Sequence, residues 1–351
     1  MRFSRPRRPL RALVLLIVVG LVSALGRGLW ANGVFSSVTP GFSGQCKVAA
    51  VLPVQDIEIA GGVAYLSVAD AAGPRAEDGI YALPLNGGAA KKLAGAPRDF
   101  HPRGIGLWRT YDGKGLFLFA VNRHGNGRFS IDSFEVADLA TVPRLAPEGM
   151  IEGGLLKNPQ DVAASGPGTF YVANGTAGKY PVLRPLQHYG VIPGGDILYF
   201  NGMSFRAVAD GLYGTRSLVM TRDGGHVIAG GLLSRSVTSF TRESLTGNLT
   251  EDQVEVLRAG PERLALDAQG QLWVAGHANL LSWRAMSGAP GTRASSQVLR
   301  VAIANGRPGA VAQVYGNAGA EIAGAGAVAV EGAHLLIGSA QDKKLLDCNM
   351  R

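Results

Sequence analysis

A repeat of short strands is the feature of this chain that most restricts its fold. After residue 46, apolar residues come in runs of four to seven between glycine, asparagine and aspartate, as in Val63–Val68 and Gly115–Val121. Runs of this length between turn residues are typical of β-strands. The runs group into units about 50–60 residues apart, each beginning with a polar residue before an apolar strand. The units begin near Gln55, Arg103, Gln160, Arg216, Arg263 and Gly326.

Six units of this spacing predict an all-β fold, a six-bladed β-propeller over residues 46–351. The repeat is weak residue by residue, so a pair of β-sandwiches stays open as an alternative. In a propeller the first strand of each blade lines the central channel. The polar residues that begin these strands would therefore converge on one mouth of the channel.

The chain has only two cysteines, Cys46 and Cys348, near the two ends of the predicted ring. In an exported protein an even pair predicts a disulfide. This bond would close a loop of about 300 residues, for which the chain-entropy model gives roughly 4–5 kcal/mol of stabilisation. Two unrelated buried thiols are the alternative.

The N-terminal segment accounts for most of the positive charge. Residues 1–30 carry six arginines and no acid, so the formal charge of +8 falls to +2 beyond Trp30. The apolar run Ala12–Leu25 between these arginines predicts a signal peptide or a signal-anchor transmembrane helix over residues 1–30, followed by a linker over 31–45. The basic charge thus reflects topology and argues against a nucleic-acid partner.

The prediction is therefore an exported chain with two possible forms. A retained helix would anchor the propeller in a membrane on its extracytoplasmic side. Cleavage after the small residues Val22, Ser23 and Ala24 would instead release a secreted or periplasmic protein.

Several motifs resemble a known family. They are Asp56 in QDIEI, PRGIG at 102–106, QDVAASGPGTFYVAN at 160–174, LWVAGH at 272–277 and AHLLIGSAQDKKLLDC at 333–348. Together with the cysteine pair and the apolar leader, they resemble the paraoxonase/arylesterase family. That family is a branch of the six-bladed propellers that include gluconolactonases and strictosidine synthase-like proteins. The resemblance spans Cys46 to Cys348 and implies two calcium ions in the tunnel and hydrolysis of lactones or aryl esters.

The resemblance assigns calcium ligands residue by residue. The structural ion would take Asp56, the carbonyl of Ile105 and Asp161, all of which offer the hard oxygen donors that calcium prefers. The catalytic ion would lie at the positions of Gln55, Gln160, Arg216, Glu262 and Arg263. Because a guanidinium group has no lone pair for a metal, we expect one structural calcium and no catalytic calcium. The alternative is that Asp56 and Asp161 only cap turns.

The catalytic bases implied by the resemblance are also altered. The two histidines proposed as general bases in the family correspond to Arg103 and Arg123, and arginine cannot act as a base at neutral pH. His277 matches a family pocket histidine, and His124 is adjacent to Arg123. His277 and His124 are therefore the candidate catalytic residues of any hydrolase activity that remains.

Charge at the channel mouth suggests a different use for the site. Arg103, Arg216 and Arg263 against Glu262 give a net +2, the formal charge of the calcium ion that they would replace. Forked hydrogen bonds from guanidinium groups suit carboxylate or phosphate groups. We therefore predict a small anionic ligand or a partner bound by Gln55, Arg103, Gln160, Arg216, Glu262 and Arg263. A plug, in which Arg216 or Arg263 pairs with Glu262 and nothing binds, is the competing interpretation.

Whether the chain is an enzyme stays open at this point. The alternative function is a divergent calcium-dependent lactonase or arylesterase that acts on an ester or lactone ligand. The insertion at 179–195 is predicted to cover the channel as a lid, or else to form an apolar patch that faces a membrane.

Overall fold

The predicted propeller is present in the computed structural model, which describes residues 7–70, 75–139, 143–176, 181–288 and 291–350. Six antiparallel sheets of four strands each follow one another along the chain. An apolar helix precedes them. Both the all-β fold class and the number of blades are confirmed.

The helix α1 spans Arg7–Ala31, and β1 spans Gln45–Ala50. The first blade comprises β2 (Val54–Ala60), β3 (Val63–Val68), β4 (Gly79–Pro84) and β5 (Lys91–Lys92), with a 3₁₀ turn at Arg75–Glu77. The second blade comprises β6 (Pro102–Arg109), β7 (Leu116–Arg123), β8 (Phe129–Ala137) and β9 (Arg144–Ile151).

The third blade comprises β10 (Pro159–Ala164), β11 (Phe170–Asn174), β12 (Gly195–Phe200) and β13 (Phe205–Leu212), with a 3₁₀ turn at Pro181–Leu183 and the short helix α2 at Arg184–His188. The fourth comprises β14 (Thr215–Met220), β15 (His226–Gly231), β16 (Ser236–Arg242) and β17 (Leu249–Val256). The fifth comprises β18 (Gly260–Leu266), β19 (Leu272–His277), β20 (Ser296–Ala304) and β21 (Arg307–Asn317), with α3 at Leu280–Ala285. The sixth comprises β22 (Ala327–Glu331), β23 (His334–Ser339) and β24 (Lys344–Asn349).

The inner strands β2, β6, β10, β14, β18 and β22 form a closed ring in which each contacts the next and β22 contacts β2. Each blade packs on two neighbours, so the strands next to the inner ring are buried on both faces, as in Phe170–Asn174 and Leu272–His277. Phe170 lies between Phe119 and Phe200, with ring centroids 5.4 and 5.0 Å away. This two-sided burial explains why these strands appear in the sequence as unbroken apolar runs and not as alternating ones.

Tight turns join the inner strands to their neighbours. Gly61 and Gly62, between β2 and β3, have φ of 63° and 76°. Positive φ at both central residues is the mark of a type I′ hairpin, which glycine adopts without steric cost. The corresponding turns of the fourth, fifth and sixth blades place Gly224, Gly270 and Gly332 at positive φ.

The two ends of the chain close the ring. Strand β1 is the outermost strand of the sixth blade and pairs with β24, with Cys46 directly opposite Cys348. These two residues form the predicted disulfide, with a sequence separation of 302. The N-terminal strand therefore completes the blade made by the C-terminal residues.

The base of α1 packs on the propeller. Arg27, which interrupts the apolar run, lies with its guanidinium carbon 4.3 Å from the ring centroid of Tyr213 and 4.8 Å from that of Trp30. Asn32 donates hydrogen bonds to Tyr189 O and Gly28 O. The segment 31–45, expected to form a linker, contacts the propeller through Asn32 and through a bridge between Gly41 and Gly316. In the described chain, Arg11–Ala31 is the one helix long and apolar enough to cross a membrane.

Candidate functional site

A bulge near the start of five inner strands turns a side chain toward the same channel mouth. The ladder registers skip Gln55 in β2, residues 103 and 104 in β6, Gln160 in β10, Arg216 in β14 and Glu262 in β18. Bulges re-aim side chains in this way, often beside functional sites. The bulged residues Gln55, Arg103, Gln160, Arg216 and Glu262 form what we call the upper tier. Four of them are residues at which the repeat units were predicted to begin; in the fifth blade the prediction named Arg263 and not Glu262.

The residues that follow the bulges form a lower tier inside the tunnel: Asp56, Gly104, Asp161, Ser217 and Arg263. Arg263 was expected at the start of its strand; the bulge in β18 falls at Glu262, so Arg263 follows the bulge, and it still lines the cavity at the channel mouth. Gly104 permits the close approach of blades two and three. A Cβ atom there would lie 2.3 Å from Asp161 Oδ1.

The upper tier lines a cavity of about 530 Å³ at the channel mouth. One wall carries the polar upper-tier side chains, together with Asp70 and Lys343, which form an ion pair. Trp283 and Met286, at α3, give the same cavity an apolar wall, and the guanidinium carbon of Arg216 lies 5.6 Å from the ring centroid of Trp283. The cavity thus combines basic and apolar, aromatic lining.

Arg216 is held between two upper-tier neighbours. Its Nε donates to Glu262 Oε2 at 3.0 Å, and its Nη1 donates to Gln160 Oε1. Burial alone would raise the pKa of Glu262, but the charges of Arg216 and Arg263 outweigh burial and hold this pKa below its usual value. Glu262 is therefore ionised, and its negative charge neutralises the positive charge of Arg216. For Arg216, this is the pairing that the plug interpretation predicted.

Arg103 is placed differently. It donates to Pro159 O at 3.1 Å and to Asn158 Oδ1 at 3.3 Å, and its guanidinium lies 5.2 Å from the ring centroid of Phe129. No carboxylate of the described residues forms an ion pair with it. Burial, followed by the charges of Arg216 and Arg123, lowers the pKa of Arg103 to about 9. Arg103 is thus still charged at neutral pH, in a place short of negative charge.

Arg263 lies in the tunnel among backbone and carboxylate oxygens. Its Nη atoms donate to Glu262 O, Arg216 O and Gln160 O at 3.0, 3.1 and 3.2 Å, and its Nε is 3.5 Å from Asp56 Oδ1. Burial alone would lower its pKa, but the nearby carboxylates, Asp56 first, raise it. Arg263 is therefore a permanent cation in the tunnel.

Asp56 and Asp161, expected to bind a structural calcium, are instead hydrogen-bonded by neighbouring blades. Asp56 Oδ2 accepts from Ile105 N, and Asp161 Oδ2 accepts from Ser217 Oγ and Leu218 N. Burial raises the pKa of both carboxyls, and the charge of Asp56 adds to the effect at Asp161. At Ile105 it is the amide, and not the expected carbonyl, that faces Asp56.

The donor set present does not fit a calcium ion at either predicted position. Of the five positions expected to bind the catalytic ion, Arg216 and Arg263 carry guanidinium groups, and Gln160 and Glu262 are hydrogen-bonded to Arg216. In the lower tier, the carboxylate oxygens of Asp56 and Asp161 all accept hydrogen bonds, and the Arg263 guanidinium lies beside Asp56. Within the described ranges, no group of three or more His, Cys, Asp or Glu residues could hold a metal ion.

Comparisons with known proteins identify the family of this chain. The arylesterase family profile matches residues 89–350. The chain belongs to the arylesterase family. Human serum paraoxonase/arylesterase 2 is 25% identical over 248 residues, with 70% of this chain and 68% of that protein covered. Human serum paraoxonase/arylesterase 1 is 26% identical over 258 residues, with the same coverage.

Solved structures agree with the fold. A luciferin-regenerating enzyme matches with a TM-score of 0.56 and 10% identity, covering 88% of this chain and 95% of that chain. Regucalcin of Agrobacterium tumefaciens, described as a calcium-binding protein, matches with a TM-score of 0.52 and 15% identity, covering 89% and 97%. At such low identity, these two matches bear on the fold alone.

In this arylesterase-family chain, His277 is completely buried behind the cavity wall. Its ring stacks on Trp283 with centroids 4.5 Å apart, and neither ring nitrogen has a hydrogen-bond partner among the described residues. Burial lowers the pKa of His277 to about 4; Glu262 opposes this shift and Arg216 adds to it. The imidazole is therefore neutral. It is separated from the cavity by Trp283, which lines it.

His124 belongs to a hydrogen-bonded network outside the cavity. Its Nδ1 is 3.1 Å from Asp99 Oδ2, and its Nε2 is 2.9 Å from Ser130 Oγ, whose proton goes to Asp132. Both ring nitrogens are therefore engaged in this network, and His124 does not line the cavity. His101 extends the network by bridging Asp99 and Asp78. The sequence analysis missed the partners in this network because blades one and two supply them from distant positions.

The insertion at 179–195 was expected to act as a lid. Lys179 and Tyr180 lie outside the described residues. The described part packs beside the base of α1, where Arg284 of α3 donates to His188 O and to Asn32 Oδ1. None of its described residues lines the cavity, whereas Trp283 and Met286, at α3, do line it. The spacing of residues in the sequence could not have shown that α3 lies at the cavity.

Glu58, two residues beyond Asp56 on the same strand, gives a pH-dependent prediction. Its removal from bulk water, and then the charges of Asp56 and Asp161, raise its pKa well above the usual value. The folded chain therefore keeps a proton that the unfolded chain loses above pH about 4. We expect the free energy of unfolding to fall as pH rises above about 4, by up to about 1.4 kcal/mol per pH unit, until the pH exceeds the raised pKa of Glu58 in the folded chain.

Urea unfolding at several pH values tests this expectation with Glu58→Gln, which mimics the protonated acid. The variant should show a shallower decline with pH than the wild type. Glu251→Gln, on the exposed strand β17, is the matched control and should keep the wild-type slope. Equal slopes for Glu58→Gln and the wild type would contradict the assignment.

Proposed function

We propose that the upper-tier cavity of this chain binds a small organic anion, most simply a monocarboxylate with an apolar body, and that the chain has lost metal-dependent hydrolysis. The observation that carries the proposal is the unpaired Arg103 guanidinium in the cavity. Arg216 and Arg263 are neutralised by Glu262 and Asp56, whereas Arg103 has only amide and carbonyl oxygens as partners. The positive potential at Arg103 favours an anion from outside.

The pKa of Arg103 supports the same conclusion. A guanidinium whose pKa falls to about 9 is destabilised in its charged form by burial and by like charges. A carboxylate bound beside it would restore the balance and raise that pKa. A carboxylate can also accept two parallel N–H bonds from one guanidinium, an arrangement that a point charge cannot offer.

The apolar wall favours one class of anion. Trp283 and Met286 also line the cavity, so a ligand with an aromatic or aliphatic body would bury apolar surface against them. A hydrated inorganic anion would gain nothing from that wall. We therefore expect phenylacetate to bind more tightly than acetate or inorganic phosphate.

We also propose that α1 is retained and tethers the propeller to a membrane on its extracytoplasmic side. The base of α1 contributes Asn32 and Ala31 to buried contacts with the propeller. Exposed apolar side chains surround this base, among them Trp30, Phe35, Val182 and Tyr189. Such a surface beside an apolar helix suits the membrane interface. Carbonate extraction of membranes tests it: release of full-length chain into the supernatant would contradict the tether.

Calorimetric titration of the full chain in detergent with phenylacetate tests the ligand proposal. Arg103→Gln should weaken binding about 10- to 100-fold, because it removes the charged donor. Arg109→Gln is the matched control, since Arg109 ends the same strand at the opposite channel mouth. Equal affinity of wild type and Arg103→Gln would overturn the proposal. Equal affinity for acetate and phenylacetate would overturn the role of the apolar wall.

The competing function is a divergent calcium-dependent lactonase or arylesterase, and family membership is what favours it. Among the described residues the cavity offers no free base for it, because Glu262 is paired with Arg216, His124 lies outside the cavity and His277 is buried. Turnover of phenyl acetate and of a simple lactone, with and without added calcium, separates the two functions. Calcium-dependent turnover that Glu262→Gln abolishes would establish the hydrolase in place of our proposal.

A further inference from the structure

The guanidinium of Arg263 lies where five inner strands meet, and it joins four of the blades directly. Its hydrogen bonds to Gln160 O, Arg216 O and Glu262 O reach the third, fourth and fifth blades. Its ion pair with Asp56 reaches the first. The second blade is added through Ile105 N, which donates to Asp56. One side chain therefore organises the centre of the ring.

The atoms that surround Arg263 are oxygens of the kind that bind hard cations. They are three backbone carbonyls and a carboxylate, with the second carboxylate of Asp161 close enough to raise the pKa of Arg263. Calcium takes six to eight such oxygens, from carboxylates, carbonyls and water. A guanidinium satisfies the same oxygens with N–H donors. The oxygens around Arg263 thus have the composition of a cation site. The cation that they bind is the guanidinium group of the chain itself.

The charges around Arg263 are also of the sign that a cation site needs. Asp56 and Asp161 are two carboxyl groups buried in the tunnel, and Arg263 supplies a positive charge beside them.

We propose that Arg263 is a tethered replacement for a divalent metal ion, so that the wild-type chain needs no metal for stability, and that removing this side chain uncovers a calcium site. Its ligands would be Asp56, Asp161 and the freed carbonyls of Gln160, Arg216 and Glu262. The inference does not depend on which ligand the upper cavity binds.

Thermal unfolding of the full chain in detergent, in EDTA and in excess calcium, tests this proposal. The wild-type Tm should be the same in both. Arg263→Ala should unfold at a lower temperature in EDTA, and calcium should raise its Tm by about 5 °C or more. Elemental analysis after gel filtration should find about one calcium per chain in the variant and none in the wild type.

Two further variants sharpen the result. Arg263→Ala/Asp56→Asn should lose the calcium response, since a carboxylate ligand is gone. Arg263→Gln, which keeps more of the side-chain volume, should also gain the response, and it provides the measurement if Arg263→Ala does not fold. A wild-type Tm lowered by EDTA, or one tightly bound calcium in the wild type that Asp161→Asn removes, would overturn the proposal. So would Arg263 variants that fold but ignore calcium.

Discussion

Replacing both cysteines, in Cys46→Ser/Cys348→Ser, is expected to lower the free energy of unfolding by about 5 kcal/mol. The bond closes a loop with a separation of 302 residues, and its loss returns that freedom to the unfolded chain. It also releases β1, the outer strand that completes the sixth blade. The ring would then be held at its closure by noncovalent contacts alone, namely the β1–β24 ladder and the packing of the sixth blade on the first. Denaturant unfolding of the full chain in detergent measures the change.

A nearby substitution provides the control. Lys47 lies next to Cys46 in β1 and forms an exposed ion pair with Asp347 of β24 at 3.6 Å. Lys47→Ser changes the same pair of strands without opening the loop, and should cost less than about 1 kcal/mol. A similar loss in both variants would mean that the strand pairing, and not the covalent closure, holds the ring.

Glu262→Gln is expected to lower stability by about 3 kcal/mol and, at the same time, to tighten binding of phenylacetate. The substitution removes the carboxylate that pairs with Arg216 at 3.0 Å and leaves a mostly buried guanidinium unbalanced. Arg216 and Arg103 would then both lack an internal counter-charge on the cavity wall. An external carboxylate would supply the missing negative charge. The same substitution would therefore lower the stability of the fold and raise the affinity for the ligand. Denaturation and calorimetry measure the two effects on one sample.

The opposite signs make this prediction specific. Glu152→Gln serves as the control, because Glu152 pairs with Arg128 on the protein surface and should affect stability by less than about 1 kcal/mol, with no effect on binding. Loss of binding in Glu262→Gln would show that the carboxylate positions the ligand. That result would contradict the idea that the ligand carboxylate takes the place of Glu262 beside Arg216.

The fold, and most of the polar residues that gather at the channel mouth, could be predicted from the sequence. Strand length, turn residues and the spacing of the units are local properties of the chain, and six units leave few ways to close a ring. The terminal cysteines could be paired because a ring-shaped fold brings the two ends of the chain together. Gln55, Arg103, Gln160 and Arg216 were placed correctly because each lies at the same point of its repeat.

What the sequence could not determine was the partner of each charge. Arg216 and Arg263 are both arginines near a blade start, yet a bulge at Glu262 moves Arg263 one residue deeper, where it pairs with Asp56 while still lining the cavity. His124 and His277 were chosen by motif, but the motifs did not reveal their contacts with Asp99 and with Trp283. Such contacts depend on strand register and on the packing of different blades. The sequence by itself therefore determined the ring and the polar residues that begin its inner strands, whereas only the tertiary structure decided that Arg103 is the one of these arginines without a carboxylate partner among the described residues.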